Sequence, residues 1–393
     1  MTTLTQSGYL TDERRMLQEA ARDFAMQEVL PLANKLDPER EDMPRSLIDK
    51  MAELGYFGIT IPEKYGGSGL GCFEYCLIAE ELSRAWMSVG SVIARGNTFM
   101  GSQMFNDAQR AAIMPRVARG EYLGALALSE PAAGSDLASV SCRARRDGEE
   151  WVITGNKYWC TFADAADFIF LLARTQPEVD PKRKHVGISA FIIDKQRGSF
   201  PPGIAGSSIP KIGYFGWKTW ELAFDSFRLP AIALVGEEGQ AFAAFSRGLE
   251  TYRAHTAARS IGLARGALED ATKFALERVQ FDQPIANFQA IRFKLAQMAT
   301  EIEAARQLNF HVCTQIDQGQ RCDKEAAMTK LFASEMSERV CSDAMQILGG
   351  AGYTTHYAVE RYWRDARLTK IFEGTSEIQL KIISDRILGR PVG

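Results

Sequence analysis

A glutamate with apolar neighbours is the clearest group in this sequence that could move a proton. Glu373 lies in residues 371–379 (IFEGTSEIQ), directly before Gly374 and a predicted helix that Thr375 or Ser376 can cap. A carboxylate in such surroundings is a candidate general base. From the residues alone, a plain helix-capping loop remains the alternative to a catalytic base.

A second segment has the composition of a ligand-binding loop. Residues 125–136 (ALALSEPAAGSD) combine small side chains with the hydroxyls of Ser129 and Ser135. The backbone around Gly134 can approach a ligand closely, and its amides can donate hydrogen bonds. An ordinary Pro/Gly turn is the alternative.

Two more segments could contact a ligand. In residues 157–161 (KYWCT), Trp159 could stack on a planar ring and Thr161 could donate a hydrogen bond to it. Residues 346–353 (QILGGAGY) form a glycine cluster after a predicted helix, and residues 278–281 (RVQF) supply an arginine. Together these suit a pyrophosphate group. A core tryptophan and a simple helix stop are the alternatives.

The composition excludes several classes of protein. The chain has 393 residues, 46% of them apolar, and 46 Lys and Arg against 49 Asp and Glu give a net charge of −3. This length predicts two or three domains, and the near-neutral charge argues against nucleic-acid binding. No apolar run approaches the ~18 residues of a membrane span, and residues 1–10 show no signal-peptide pattern. We expect a cytoplasmic protein with no nucleic-acid or membrane partner.

Metal sites and common nucleophile motifs are not expected either. The four histidines do not pair with each other or with cysteine at ligand spacing, and the seven cysteines are scattered. Cys72 and Cys76 lie four residues apart in an apolar stretch, which favours buried thiols over a metal pair. The chain has no P-loop and no Gly-x-Ser-x-Gly motif. We therefore expect no bound metal.

The spacing of the apolar residues changes twice along the chain. Helical spacing begins after Thr11, which can cap a first helix that should end before Pro31, and continues to about residue 120. Short β-branched and aromatic runs separated by turn residues follow, and helices return from about residue 236. We expect an α+β fold that is mostly α. Its domains are expected to be a helical domain, a β domain and a helical bundle, at residues 1–124, 125–235 and 236–393.

Five motifs, taken together, carry a family resemblance. They are residues 128–136 (LSEPAAGSD), 158–161 (YWCT), 278–281 (RVQF), 346–350 (QILGG) and 372–375 (FEGT). In this order they resemble the signature segments of the acyl-CoA dehydrogenase family, and the resemblance covers essentially the whole chain. It implies an N-terminal helical domain, a middle β domain and a C-terminal four-helix bundle, with FAD as the cofactor.

The resemblance implies cofactor roles by position. The residues expected at the flavin are Leu126, Leu128, Ser129, Ser135, Trp159 and Thr161. The residues expected to hold the adenosine pyrophosphate of a neighbouring subunit's FAD are Arg278, Phe281, Gln289, Gln346, Gly349 and Gly350. Thr375 and Glu377 would touch the cofactor near the base. Because two subunits would share each FAD, the resemblance implies a homo-oligomer, a tetramer built as a dimer of dimers.

The implied reaction is α,β-dehydrogenation of an acyl-CoA thioester to the 2,3-enoyl-CoA, in fatty acid or organic acid catabolism. Glu373 would remove the α proton, the β hydrogen would leave as hydride to flavin N5, and an electron-transferring flavoprotein would accept the electrons. The residues that match the substrate channel are Ser135, Glu250, Tyr252, Arg253 and Gly374. A flavin monooxygenase or a repair-type relative on the same fold is the alternative.

The chain also departs from the family pattern. Asp282 replaces the usual glycine after the RVQF motif, and residues 211–219 (KIGYFGWKT) carry large aromatics where small polar residues are usual. Some branches place their base at the position occupied here by Tyr252, which leaves Glu373.

Two arginines lie on or after the helix that the resemblance assigns to the far wall of the acyl pocket. Arg95, with Arg84 as a second candidate, would suit an acyl group that carries a carboxylate, of the glutaryl or substituted succinyl type. The alternative is that Arg95 points to solvent or pairs with a local acid such as Asp107.

The implied sharing of FAD between subunits predicts that cofactor and assembly are coupled. Replacing Arg278 by alanine should weaken FAD retention and subunit association together, because bound cofactor would stabilise the assembly. Flavin absorbance and sedimentation velocity measure the two effects on the same sample. A variant that sheds FAD but stays fully assembled would contradict the shared site.

Overall fold

The computed structural model describes residues 8–98, 104–177, 183–245 and 248–389. The N-terminal helices are α1 (Asp12–Phe24), α2 (Leu30–Leu36), α3 (Arg45–Glu53), α4 (Cys72–Ala85), α5 (Met87–Val92), α6 (Ala94–Asn97) and α7 (Asp107–Ala118).

The first helix begins at the expected cap and ends at Phe24, before Pro31, but the chain stays helical beyond it. Thr11 is its N-cap and accepts a hydrogen bond from the Arg14 amide at 3.3 Å. A π-helical segment, Ala25–Val29, joins α1 to α2. Pro31 then stands in the first turn of α2, where its missing N–H leaves no helical hydrogen bond unmade.

A β domain follows. Its strands are β1 (Gly124–Ala127), β2 (Arg143–Asp147), β3 (Glu150–Thr161), β4 (Phe168–Arg174), β5 (Ile188–Asp194), β6 (Ile204–Ser208), β7 (Thr219–Pro230) and β8 (Leu234–Val235). Within the described residues they form one eight-stranded sheet in the order β6-β7-β3-β2-β4-β5-β8, with β1 beside β4. β1 runs parallel to β4 with Gly124 opposite Phe168, so the segment after β1 lies beside the end of β3.

The C-terminal part is helical. Its helices are α8 (Ala241–Phe245), α9 (Leu249–Glu277), α10 (Gln289–Asp317), α11 (Asp323–Leu348), α12 (Val359–Thr369) and α13 (Ser376–Leu388), and the hairpin β9 (Val279–Gln280) and β10 (Gln283–Pro284) joins α9 to α10. The long helices α9, α10 and α11 pack together, and α13 packs on α11. The fold class expected from the sequence is confirmed. We propose domain boundaries at residues 124/125 and 235/236.

The N-terminal part packs on the bundle through α4 and α9. A Cβ at Gly262 of α9 would collide with the carbonyl oxygen of Glu80 in α4, so only glycine permits this approach. Beside it, buried Arg265 donates to Glu81 at 2.7 Å and to Glu80 at 3.1 Å. Gln18 of α1 donates to the same Glu81 carboxylate at 2.8 Å. Apolar contact and charge pairing therefore fix one register between the two helices.

Helix α12 also reaches back to the start of the chain. Arg364 pairs with buried Asp37 at 2.5 Å, and Arg361 donates to Asn34 of α2 at 3.1 Å. The second contact joins residues 327 positions apart. Among the described residues, no helix is both long and apolar enough to cross a bilayer.

Candidate active site

Glu373 lies in the turn between α12 and α13, on a backbone that is held in an uncommon conformation. Its φ is 53°, in the left-handed region, and Gly374 follows at 93°. The Gly374 carbonyl accepts hydrogen bonds from Lys330 Nζ at 2.6 Å and from Gln379 Nε2 at 3.0 Å. Thr375 caps α13 by accepting from the Ile378 amide. The turn is therefore fixed from two sides, which is typical of strained functional segments.

The carboxylate of Glu373 is anchored by α9. Its Oε2 accepts a hydrogen bond from Arg259 Nη2 at 2.5 Å and another from the hydroxyl of Thr256. Arg259 is fully buried, donates to Ser91 Oγ at 2.8 Å, and lies 4.9 Å from the ring centre of Phe372. Burial disfavours its charge, but the Glu373 carboxylate raises the pKa of Arg259 above its ordinary value.

The side chain of Glu373 is nevertheless 31% exposed. A carboxylate held at one oxygen and partly open to solvent can reach a ligand while its position stays fixed. The Lys330 ammonium nearby is buried, and burial lowers the pKa of Lys330 to about 8, opposed chiefly by Glu373.

Arg95 lies close to this carboxylate, and no acid among the described residues pairs with it. Its Nη2 donates to the Thr161 carbonyl at 3.3 Å, and its guanidinium stands 5.3 Å from the ring centre of Trp217 and 5.9 Å from that of Phe162. Its Nε is buried and has no hydrogen-bond partner in the part of the chain that the structure describes. Burial lowers the pKa of Arg95, while Tyr214 and Glu373 act in the opposite direction.

The expected pairing of Arg95 with Asp107 is not found. Arg95 is half-buried with its Nε shielded from solvent, and Asp107 pairs with Arg110 at 3.3 Å while remaining almost fully exposed. Within the described ranges, no ion pair joins Arg95 to a carboxylate.

Arg84 occupies a different place. It pairs with Glu269 at 2.8 Å and Asp270 at 3.2 Å and donates to the Tyr362 hydroxyl at 3.0 Å. These partners satisfy the guanidinium inside the contact between α4, α9 and α12. This corrects the expectation that Arg84 contacts the acyl group.

The segments after β1 and at the end of β3 form one wall. The Tyr158 amide donates to the Ser129 carbonyl at 2.8 Å. A buried pair between Lys157 and Glu130 at 2.9 Å ties the two segments together, and Lys157 also donates to the Leu128 carbonyl at 2.9 Å. The structure thus brings together the residues that motif spacing separates by about 30 positions.

Trp159 and Thr161 are displayed on this wall. Trp159 has a φ of 64° and is 56% exposed, which is unusual for a large aromatic ring at a strand end. Thr161 Oγ1 lies 3.0 Å from Thr219 Oγ1, and the Thr161 carbonyl accepts the hydrogen bond from Arg95. Leu126 and Leu128 are half-buried beside them, and Ser135 is exposed. An exposed indole next to a hydroxyl fits the face and edge of a planar ring.

The large aromatics of residues 211–219 line the same region. Tyr214 has a φ of 60°, and its amide donates to Asp365 at 2.6 Å. Its ring packs edge-on against Phe372 at 5.8 Å and Trp217 at 5.1 Å. Lys211 donates to the carbonyls of Tyr214 and Trp217. This loop therefore covers Arg95 and the Glu373 turn with aromatic rings.

A cavity of about 360 Å³ lies among α4, α6, α8, α9 and α10, and Glu373 and Arg95 are not among its described lining residues. Tyr252 lines it, and its hydroxyl donates to the Thr98 carbonyl, so this tyrosine serves as a wall of the cavity. Arg253 is buried and Glu250 half-buried on the same turn of α9; burial lowers the pKa of Arg253.

The residues expected to hold a neighbour's cofactor lie at the surface. Arg278, Gln289, Gln346, Gly349 and Gly350 are exposed, as is Glu377. Phe281 is 87% exposed at the tip of the β9–β10 hairpin, where Phe281 and Asp282 both have positive φ. A paired Lys294 and Asp343 join α10 to α11 near these segments. A single chain leaves this apolar and basic surface uncovered.

Comparison with known proteins agrees with this arrangement. The acyl-CoA dehydrogenase N-terminal, middle and C-terminal domains match residues 11–121, 125–227 and 239–388. The chain is 41% identical to (2S)-methylsuccinyl-CoA dehydrogenase of Cereibacter sphaeroides, over 98% of this chain and 71% of that protein. Butyryl-CoA dehydrogenase from Megasphaera elsdenii has a TM-score of 0.89 at 33% identity, covering 96% and 99% of the two chains. A glutaryl-CoA dehydrogenase in complex with glutaryl-CoA has a TM-score of 0.88 at 32% identity, covering 97% and 96%.

The fold and the site define a flavin-dependent oxidoreductase. The chain belongs to the acyl-CoA dehydrogenase family and is an FAD-dependent enzyme that dehydrogenates acyl-CoA thioesters. The wall around Trp159 and Thr161 fits the flavin ring, because it presents an exposed indole next to a hydroxyl.

Three residues of the site were not found from the sequence. These residues, Thr256, Arg259 and Lys330, lie within helices, where the sequence pattern is that of an ordinary helix face. The one available signal was the charge of Arg259 and Lys330 at positions where helical spacing predicts burial.

The anchoring of Glu373 by Arg259 predicts a loss of rate in Arg259→Met. Without the anchor the carboxylate would move, and a misplacement of about 1 Å can cost roughly 100-fold. We expect the rate of substrate-driven flavin bleaching, per bound FAD, to fall by about 10- to 100-fold, with partial recovery in Arg259→Lys. An unchanged rate in Arg259→Met would show that the pairing has no part in turnover.

Proposed function

We propose that this enzyme dehydrogenates an acyl-CoA whose acyl group carries a carboxylate, of the glutaryl or substituted succinyl type. The single observation that carries this proposal is the half-buried Arg95 near Glu373, whose Nε is shielded from solvent and which has no carboxylate partner among the described residues. A fatty acyl chain would leave that charge unpaired, whereas a bidentate carboxylate would satisfy it.

The charge balance of the site supports the same substrate class. Two buried cations, Arg259 and Lys330, and the half-buried Arg95 surround one carboxylate, Glu373. Lys330 is satisfied mainly by the Gly374 carbonyl, and Arg259 by Glu373 itself. An anionic substrate would bring the missing negative charge. Since unpaired buried charge is costly, this charge balance would favour a dicarboxylic acyl group over a neutral one.

The relatives fit this proposal without deciding it. Both (2S)-methylsuccinyl-CoA and glutaryl-CoA carry a free carboxylate, and enzymes named for them are similar to this chain. A butyryl-CoA dehydrogenase, named for a neutral substrate, is similar to it as well. The distinction between the two classes therefore rests on Arg95.

In the proposed mechanism Glu373 takes the α proton onto its carboxylate. Arg259 and Thr256 hold Oε2, so the carboxylate keeps one orientation through the transfer. The backbone N–H of Glu373 would polarise the thioester carbonyl, and the bond from Lys330 to Gly374 would hold that backbone in place. Bound FAD supplies the acceptor for the β hydride at N5. Aromatic rings from residues 211–219 would keep water out.

We further propose the assembly and partners that the family pattern implies. Arg278, Phe281, Gln289 and Gln346–Gly350 would cover a neighbouring subunit's FAD in a tetramer, and their exposure in one chain supports this. An electron-transferring flavoprotein would reoxidise the flavin. We propose a cytoplasmic location because all seven cysteines are free thiols.

The role of Glu373 is tested by Glu373→Gln. The amide keeps the shape of the side chain but cannot take a proton, so loss of the base should slow flavin reduction by roughly 10⁴-fold or more while FAD stays bound. Anaerobic stopped-flow measures bleaching after substrate addition. Glu121→Gln, a surface change, is the matched control and should bleach at the wild-type rate. Wild-type bleaching in Glu373→Gln would mean that another group is the base.

The role of Arg95 is tested by comparing acidic and neutral substrates in Arg95→Ala. We expect kcat/KM for glutaryl-CoA or methylsuccinyl-CoA to fall by at least about 10-fold, or about 1.4 kcal/mol, because the carboxylate loses its partner. The value for butyryl-CoA should stay constant or rise. Arg119→Ala, an exposed arginine, is the control. If the unaltered enzyme prefers neutral straight chains to every dicarboxylic thioester tested, the acidic substrate is excluded while the dehydrogenase activity stands.

A further inference from the structure

Three of the seven cysteines meet at one point of the fold. Cys72 and Cys76 lie on α4 and Cys313 lies on α10, and all three are buried. The Sγ atom of Cys72 is 3.8 Å from that of Cys76 and 3.9 Å from that of Cys313. All three sulfur atoms lie within 4.8 Å of one another.

This spacing is that of sulfur ligands around one metal ion. Zinc–sulfur bonds are about 2.3 Å long, so two thiolates at tetrahedral corners stand about 3.8 Å apart. The sulfur atoms of Cys72 and its two neighbours already stand at that separation. Little movement of α4 against α10 would therefore be needed to bind an ion.

The cluster also has an entrance. Cys72 lines the cavity of about 360 Å³, together with Asp317, whereas Cys76 and Cys313 lie behind it. The Asp317 carboxylate accepts hydrogen bonds from the amides of Cys72 and Phe73, at 2.5 and 3.0 Å, and so fixes the first turn of α4. An ion could enter through the cavity and keep its fourth position towards it, for solvent or for Asp317.

We propose that Cys72, Cys76 and Cys313 form a binding site for one zinc ion or another soft ion of the same class. Binding would replace three S–H protons, which are released to solvent, by three metal–thiolate bonds. The ion would link the beginning of α4 to the last turns of α10. The apolar stretch around Cys72 and Cys76 favours buried thiols, and the sequence gives no sign of the third cysteine, which is 241 positions from Cys72.

Equilibrium dialysis of the FAD-loaded enzyme against buffered Zn²⁺, with bound metal counted by mass spectrometry, tests the proposal. The wild type should bind one zinc per chain. Cys72→Ser and Cys313→Ser should bind it about 100-fold more weakly or worse, since loss of a ligand should cost at least as much as loss of a second-shell partner. Cys341→Ser, a buried cysteine of α11 outside the cluster, is the matched control and should bind like the wild type.

X-ray absorption at the zinc edge of the unaltered protein gives a test that does not depend on how the variants fold. Three sulfur neighbours at about 2.3 Å would support the site. A shell of nitrogen and oxygen alone, no zinc retained by the wild type beyond that of Cys72→Ser, or a Cys72–Cys313 disulfide in freshly prepared protein would each overturn it. None of these readouts uses turnover, so the outcome is independent of the proposed substrate.

Discussion

The buried contact between α4 and α9 is the constraint on which the active site depends. Every residue of α4 except Glu74 is buried, and Gly262 lets the two backbones approach closely. The pairing of Arg265 with Glu81 selects one register, even though such pairs add little net stability. Because α9 is continuous, the same register sets the position of Arg259. The helices that follow α4 place Arg95 on the other side of the active site.

Strain and uncompensated charge are concentrated where these elements converge. Trp159, Phe162, Tyr214 and Glu373 are non-glycine residues with positive φ, and each such conformation costs about 1–3 kcal/mol. The surrounding contacts hold them in place, and the aromatic loop over Arg95 adds ring faces that stabilise a cation. A less rigid framework would let these backbone conformations relax and would not hold the Arg95 charge in this position.

The sequence was sufficient for the family, the order of the domains and the motif carrying Glu373, since motifs and apolar spacing are local properties. It was insufficient for contacts that only folding creates. Arg84 and Arg95 look alike in the sequence as charges on one helical region, yet Glu269 and Asp270 neutralise the first, whereas no described carboxylate pairs with the second. The end of α1 before Pro31 was predictable, but the π-helical turn that carries the chain on into α2 has no marked sequence signal.

The contact between α12 and α2 affects how this chain can fold during its synthesis. Arg364 and Arg361 complete the surroundings of Asp37 and Asn34 across 327 positions. An N-terminal domain usually closes while the rest of a protein is still being synthesised. Here the first helices would lack these partners until α12, 327 positions further along the chain, has left the ribosome. Pairing over so long a separation is slow, so a chain shortened before α12 would leave its earliest-made helices open to aggregation.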